Sequence, residues 1–338
     1  MPKWRSCDVY TDLECALMDD KPVLRAEAGV TPRLPGSEEE LAAEFDEHRA
    51  VLVGAAYRVV GSVVDAEDVV QETWLRWAAA DRAEVRDARA YLIRITTRLA
   101  LNRLRQQRSR REQYVGPWLP EPIAAAPAEQ DPAAVAEVAD SVSMAMLVVL
   151  ETLSPLERAA FMLREVFDLP FSEIGDTLGR SESAVRQLAH RAREHVHARQ
   201  PRHRVDRARH TEITSRFLAA AWSGDLDQML ELLAPEAVLV SDGGGKRRAA
   251  IRPLHGAEKI ARWLHAVLTG PEAAGMELEW GELNGELAFI SYAGEEVDSA
   301  GFMELDESGR ISEIYIIRNP DKLTGVPPRT AGTHQPDS

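Results

Sequence analysis

The hydrophobic repeat changes period near residue 210, and this constrains the fold more than any other feature of the chain. Upstream, apolar residues recur at helical spacing, and residues 38–111 are almost free of glycine and proline. From His210 onward, helical segments give way to short strand-like runs, Val238–Ser241, Leu287–Tyr292 and Ile311–Arg318, separated by Gly, Asp and Asn. A multidomain chain follows: two all-α domains, then an α+β domain. The expected units are a disordered leader (1–37), a helical domain (38–111) and a flexible proline-rich linker (112–140). After them come a second helical domain (141–199), the α+β domain (207–325) and a disordered tail (326–338). No internal repeat is present.

Charge speaks first to function. The net charge of -15 argues against nucleic acid until its distribution is considered. Arg86–Arg111 holds nine arginines and one acid, and Arg180–Arg209 holds nine arginines, three acids and four histidines. Two compact arginine islands in an acidic chain are a footprint for DNA phosphates. No apolar run approaches the ~20 residues of a membrane helix, and the leader, which also reads as the product of an upstream start codon, lacks a secretory signal. Cys7 and Cys15 make neither a disulfide framework nor a zinc site. The expectation is a cytoplasmic protein with no metal, no cofactor and no membrane partner.

In Asp65–Trp77 (DAEDVVQETWLRW), Ala66, Val69, Val70, Thr73, Trp74 and Trp77 form one buried stripe. The other face presents Asp68, Gln71, Glu72 and Leu75, either solvated or docked on a basic partner helix. The next predicted helix, Ala88–Arg105, buries Tyr91, Leu92, Ile95 and Leu99. Around it Arg94, Arg98, Arg105 and Arg108 fall within about 80° of one another. That ridge suits phosphates, while Asn102 offers both donor and acceptor to an exposed base.

Phe171–Arg193 (FSEIGDTLGRSESAVRQLAHRAR) fits a helix-turn-helix. Gly175 stands where the helices cross, and Gly179 stands in the turn, where a positive φ is needed. Ile174, Leu178, Val185 and Leu188 pack the helices together, and Ser181 caps the second. Its exposed face then shows Ser183, Arg186, Gln187, His190 and Arg191 to a major groove. Upstream, Ser154-Pro155-Leu156-Glu157 is a capping box that opens a supporting helix through Phe167.

DAEDVVQETWLRW followed by AYLIRITTRLALNRLR resembles region 2 of the extracytoplasmic-function (group IV) sigma factors of the sigma-70 family. LSPLERAAFMLREVFDLPFSEIGDTLGRSESAVRQLAHRARE resembles their region 4. The resemblance implies an alternative sigma factor that partners the RNA polymerase core and promoter DNA. Asp68, Gln71, Glu72 and Leu75 would bind the clamp helices of the largest subunit. Arg94, Arg98, Asn102, Arg103 and Arg105 would recognise the -10 element. Ser183, Arg186, Gln187, His190 and Arg191 would read the -35 element, with region 4 near the flap of the core.

The linker contains Trp118-Leu119-Pro120-Glu121-Pro122, which resembles a docking peptide held extended by its prolines. Downstream, helices over Thr211–Leu233 and Glu258–Leu268 followed by strands imply a cone: a curved sheet wrapped on helices around a pocket. This order resembles the SnoaL-like branch of the nuclear-transport-factor-2 (NTF2) superfamily, a fold of cyclases and of binding modules. Asp242-Gly243-Gly244-Gly245-Lys246 and Asn319-Pro320-Asp321-Lys322-Leu323 read alone as turns. With WLPEP, the DGGGK and NPDKL motifs resemble the sigma-factor group whose fused SnoaL-like domain regulates in place of a separate anti-sigma protein. Trp118, Leu119 and Pro120 would then meet Asp242, Gly243, Gly244, Gly245 and Lys246 and Asn319, Pro320, Asp321, Lys322 and Leu323 near the junction of regions 2 and 4. An unknown small ligand could occupy the pocket.

Two other readings compete. A SnoaL-like cyclase, isomerase or hydrolase tethered to a DNA-binding module would need Asp225, Asp242 and His255 to converge. A dimeric repressor that binds DNA alone would leave the Asp65–Trp77 surface without a role. No nucleophile motif or metal frame accompanies the first, so the expectation is a protein that is not an enzyme.

Overall fold

In a computed structural model of the protein, the described residues are 38–81, 85, 87–124, 143–198 and 206–329. The expected leader with Cys7 and Cys15, the linker from 125 to 142 and the tail from 330 lie outside them.

The first unit consists of α1 (Glu38–Val60), α2 (Val63–Ala78) and α3 (Ala88–Glu112). Extended Ser62 caps α2 by accepting from the Asp65 amide. Ala66, Val69, Val70, Thr73 and Trp77 are buried, while Trp74 is partly buried and meets Phe45 edge-on at 5.2 Å. The third helix runs past the expected end at Arg105 to Glu112.

The second unit holds α4 (Met144–Glu151), α5 (Pro155–Phe161), α6 (Phe171–Leu178) and α7 (Glu182–His197). Ser154, Pro155 and Glu157 form the capping box that starts α5. The expected single helix to Phe167 instead widens into a π-helical turn at Met162–Val166. Gly179 ends α6 with φ 62°, and a Cβ on Gly175 would stand 2.7 Å from the Arg180 carbonyl oxygen.

These units were expected as separate domains on a flexible linker, but they share one apolar core from Phe45 and Leu52 to Val185 and Val196. Arg158, 3% exposed, crosses between them: its Nη1 donates to the Val59 carbonyl at 2.7 Å and to Glu151 at 3.0 Å. Burying those apolar faces against each other removes more surface from water than two small bundles could bury alone.

The third unit contains α8 (Arg207–Ser223), α9 (Leu226–Leu232) and α10 (Ala257–Leu268). Its sheet is built from β1 (Leu233–Asp242), β2 (Leu254–His255), β3 (Met276–Leu283), β4 (Glu286–Ala293), β5 (Glu296–Leu305) and β6 (Ile311–Ile317), in the order β2-β1-β6-β5-β4-β3. Only β1 and β6 pair in parallel among these neighbours. The single helix expected over Thr211–Leu233 breaks at Gly224 (φ 77°), and Asp225 caps α9 through the Gln228 amide at 3.0 Å. One sheet face packs Leu239, Phe289, Met303 and Ile314 on the helices. The other packs Leu283, Ile290, Phe302 and Ile317 on Leu119, Met144 and Ala145. This is the cone-shaped α+β architecture that the SnoaL-like resemblance implies. Order continues past the expected end at Gly325: Val326 is buried, and Arg329 pairs with Glu277 and Glu279.

Candidate nucleic-acid interface

Helix α2 turns Asp68, Gln71, Glu72 and Leu75 outward together, with Leu75 67% exposed. A single exposed leucine is ordinary on a protein surface, and this one stands among carboxylates and an amide. Asp68 accepts from Arg103 Nη2 at 2.8 Å, and Glu72 pairs with Arg76 at 3.1 Å.

The arginine ridge of α3 is divided. Arg94 Nη1 donates to Glu173 at 3.0 Å, and Arg98 donates through Nε to the Thr177 carbonyl at 2.9 Å and through Nη2 to the Asp176 carbonyl. Arg98 thus caps the C-terminal end of α6, where unpaired carbonyls and the helix dipole attract a cation. The ridge was expected to form one phosphate-facing surface, but the shared core brings α6 against half of it. Arg103 is held on α2 by Asp65 and Asp68, and the hydrogen bond it donates to Asp65 raises its pKa. Asn102 and Arg105 remain exposed, with Arg105 donating to Asn102 Oδ1 at 2.8 Å. The side chain of Arg108 lies outside the described residues.

Ser183, Arg186, Gln187, His190 and Arg191 are all exposed along α7. Arg186 pairs with Glu182 and lies 4.8 Å from the Phe171 ring centroid, and Arg191 donates to Glu157 at 2.9 Å. Such solvent-exposed pairs contribute about 0–1 kcal/mol and give way readily to phosphate or base. A helix-turn-helix with an outward cationic face can enter a major groove.

The linker is held from both sides. On one side Glu121 accepts from the Val63 amide at 2.7 Å, and Tyr57 Oη donates to the Glu121 carbonyl at 2.6 Å. Burial raises the Glu121 carboxyl above the usual range. On the other side, wholly buried Asp242 accepts from the Leu119 amide at 2.9 Å, from Tyr114 Oη and from Lys322 Nζ at 2.7 Å. Lys322 Nζ also donates to the Leu119 carbonyl and stands 3.1 Å from the Trp118 ring centroid. Asn319 Nδ2 donates to Tyr114 Oη at 2.8 Å, and exposed Lys246 pairs with Asp321 at 2.6 Å. Pro120 and Leu323 are buried alongside, and Pro320 begins the 3-10 turn that carries Lys322 inward.

Gly243 and Gly244 have no room for side chains: a Cβ would lie 2.2 Å from the Arg247 carbonyl oxygen or 2.5 Å from Asn319. Gly245, at φ 71°, faces Val115. The segment expected as a flexible linker is therefore fixed at least through Ala124. Sequence reasoning missed Tyr57, Tyr114 and Asn284, which complete this junction. Asn284 has φ 55°, donates to Tyr57 Oη at 3.1 Å and accepts from the Ile123 amide at 3.0 Å. Asn284-Gly285 was legible as a hairpin turn; nothing in the pattern showed that it would hold the linker.

Asp225, Asp242 and His255 do not converge: they lie in a helix cap, the buried junction and an exposed edge strand. Among the described residues no His/Cys/Asp/Glu group could hold a metal, and no helix is long and apolar enough to cross a membrane.

Comparison with known proteins identifies the two helical units. The family profiles for sigma-70 region 2 and sigma-70 region 4 match residues 45–110 and 143–196. The ECF RNA polymerase sigma factor SigJ of Mycobacterium tuberculosis is 39% identical over 293 residues, 84% of this chain and 93% of SigJ. The probable ECF RNA polymerase sigma factor SigI of the same species is 34% identical, spanning 84% of this chain and 94% of SigI. The crystal structure of M. tuberculosis SigJ aligns with a TM-score of 0.67 and 36% identity, covering 85% of this chain and all of that one.

Proposed function

The chain belongs to the extracytoplasmic-function RNA polymerase sigma factors, and from that membership we propose how its three units share the work. As a sigma factor it binds the polymerase core and promoter DNA and directs transcription initiation; it is not an enzyme. Asp68, Gln71, Glu72 and Leu75 bind the clamp helices of the largest subunit, and region 4 engages the flap. Asn102 captures a base of the opened -10 element, with Arg94, Arg98, Arg103 and Arg105 on its phosphates. Ser183, Arg186, Gln187, His190 and Arg191 read the -35 element.

The contact of Arg94 and Arg98 with α6 supports a second statement. Two readers packed together cannot sit on two separated boxes, so this arrangement is the resting one. Polymerase and promoter select the parted arrangement by binding it more tightly. The C-terminal unit sets the balance. It grips residues 114–124 of the linker through Asp242 and Lys322, which fixes how far region 4 can travel and makes a separate anti-sigma protein unnecessary. The buried Asp242–Lys322 pair is the observation that carries this regulatory reading.

In vitro transcription with purified core polymerase, on DNA from the gene's own upstream region, tests it. Specific initiation is expected with the full chain. Arg186→Ala and Asn102→Ala should each lower it about 5- to 150-fold, the equivalent of ~1–3 kcal/mol per lost base contact. Replacing Asp242–Lys246 should change promoter output while regions 2 and 4 stay folded. Unaltered output after that replacement would remove the regulatory role and leave the DNA-reading one.

A further inference from the structure

The helix-covered face of the sheet, with α8 and α10, lines a partly open pocket of about 80 Å³ that the promoter-reading function leaves unused. Its wall is apolar, with Phe217, Leu264, Phe289 and Ile314 among the lining residues. Against that wall stand Ser291, Asp298, Ser299 and Arg318, none more than 9% exposed. The Ser291 and Ser299 hydroxyls lie 2.6 Å apart. Arg318 donates to both Asp298 oxygens at 3.0 Å and through Nη1 to the Arg248 carbonyl at 2.7 Å.

The backbone is bent to gather these groups. Successive strand residues point to opposite faces, yet consecutive Asp298 and Ser299 line the same cavity. A bulge allows it: Ser291 pairs with Ser299 while Tyr292 pairs with Val297, so Asp298 is the extra residue. Packing gives no reason for this, because a buried ion pair is rarely better than apolar residues of the same size. Gly301 opens the space further. A Cβ there would stand 2.0 Å from the Phe289 ring, so the ring lies down on β5 and leaves the cavity clear.

We propose that the cavity binds a neutral small molecule consisting of an apolar ring and one hydroxyl group. Asp298 and Arg318 neutralise each other, so a charged ligand would find no counter-ion. The polar groups cluster in one place, so one hydrogen-bonding group is matched and a second is left without a partner. The hydroxyl meets the Ser291–Ser299 pair, and the ring takes the apolar wall. Occupancy reaches the junction through one residue step. The amides of Arg318 and Asn319 both donate to the Asp242 carbonyl, at 2.7 and 2.9 Å, so the charged wall of the cavity adjoins the grip on the linker. This last link rests on the regulatory reading above; the binding itself does not.

Saturation-transfer NMR titrations of the full-length protein with p-cresol and with toluene, without polymerase, test the binding. Saturable p-cresol binding is expected, at least tenfold tighter than toluene binding. Ser291→Ala with Ser299→Ala should erase the difference, and Gly301→Ala, which pushes Phe289 into the space, should abolish both. No saturable p-cresol binding at millimolar concentration, or equal affinity for the two compounds in the unaltered protein, would overturn the proposal. Both of these arms use the native chain, so a variant that fails to fold does not blunt them. A negative transcription result leaves this measurement untouched.

Discussion

The junction between the two DNA readers and the junction between the linker and the C-terminal unit are built on opposite principles. The readers meet over an apolar core, crossed by the buried hydrogen bond from Arg158 to the Val59 carbonyl, with a polar and exposed rim. At that rim Arg94 and Glu173 have side chains 32% and 38% exposed, and Arg98 bonds to backbone carbonyls at a helix end. The C-terminal unit instead grips the linker through an ion pair whose side chains are 2% and 0% exposed. Exposed pairs form and break at little cost, whereas removing one partner of a buried pair strands a charge without water. The first junction is suited to open on binding, and the second to stay closed while the first opens.

The sharpest way to break that comparison is Asp242→Ala. It should cost about 3–5 kcal/mol in urea unfolding, because Lys322 keeps its charge inside. A loss below about 1 kcal/mol would place the two junctions in one class. The double change Asp242→Leu with Lys322→Met should restore part of the loss, since the stranded charge is gone while the Leu119 amide and Tyr114 hydroxyl still lack their acceptor. Next comes pH. Burial pushes Glu286 up to about 7 and Glu304 up to about 8, with neighbouring carboxylates adding to the latter. Both lie on the sheet face that meets α4, and Glu286 accepts from the Met144 amide at 3.4 Å. Raised carboxyl values mean that the folded state holds protons the unfolded state releases. The stability these two groups contribute is therefore full below about pH 4.5 and is lost as pH rises through 7 to 8. Glu304→Gln should flatten that fall in denaturant midpoints measured from pH 5 to 8.

Gly244→Ala should cost about 1–3 kcal/mol, since φ is 59° and the new methyl meets Asn319 at 2.5 Å. Smallest of all, Arg94→Ala should change stability by about 0–1 kcal/mol. Hydrogen exchange in α6 should quicken in that variant while protection near Leu119 stays as it was. Equal quickening at both places would mean that the junctions open together.

Much of this was legible in the residues. The stripe of α2, the capping box at Ser154, the turn at Gly179 and the outward face of α7 follow from spacing and side-chain chemistry within one or two helices. What the sequence hid is long-range. Arg94 and Arg98 carry the same pattern whether they face phosphate or the carbonyl end of α6, because an arginine is satisfied by either. Lys322 looked like part of a surface turn, since nothing local shows that Asp242, 80 residues earlier, would be buried beside it. The break at Gly224 and Asp225 was readable from glycine followed by a capping aspartate, but the unbroken apolar spacing through Leu233 concealed it. The bulge at Asp298 left no trace in the strand's alternation.

The parallel pairing of β1 and β6 has a consequence for how such a protein can change over generations. Strands that run the same way finish at the same rim, so Asp242 and Ile317 lie side by side, and the two segments that hold the linker emerge together. Everything between them, from α10 through the β3–β5 meander, is a detour that returns to its starting point. Away from the Asn284 turn and the sheet face that packs on Leu119, insertions, deletions and exchanged side chains within that detour can remodel the cone while the grip on the linker keeps its geometry. Those parts of the C-terminal unit are thereby free to drift, and the two helical units never have to be rebuilt to follow them.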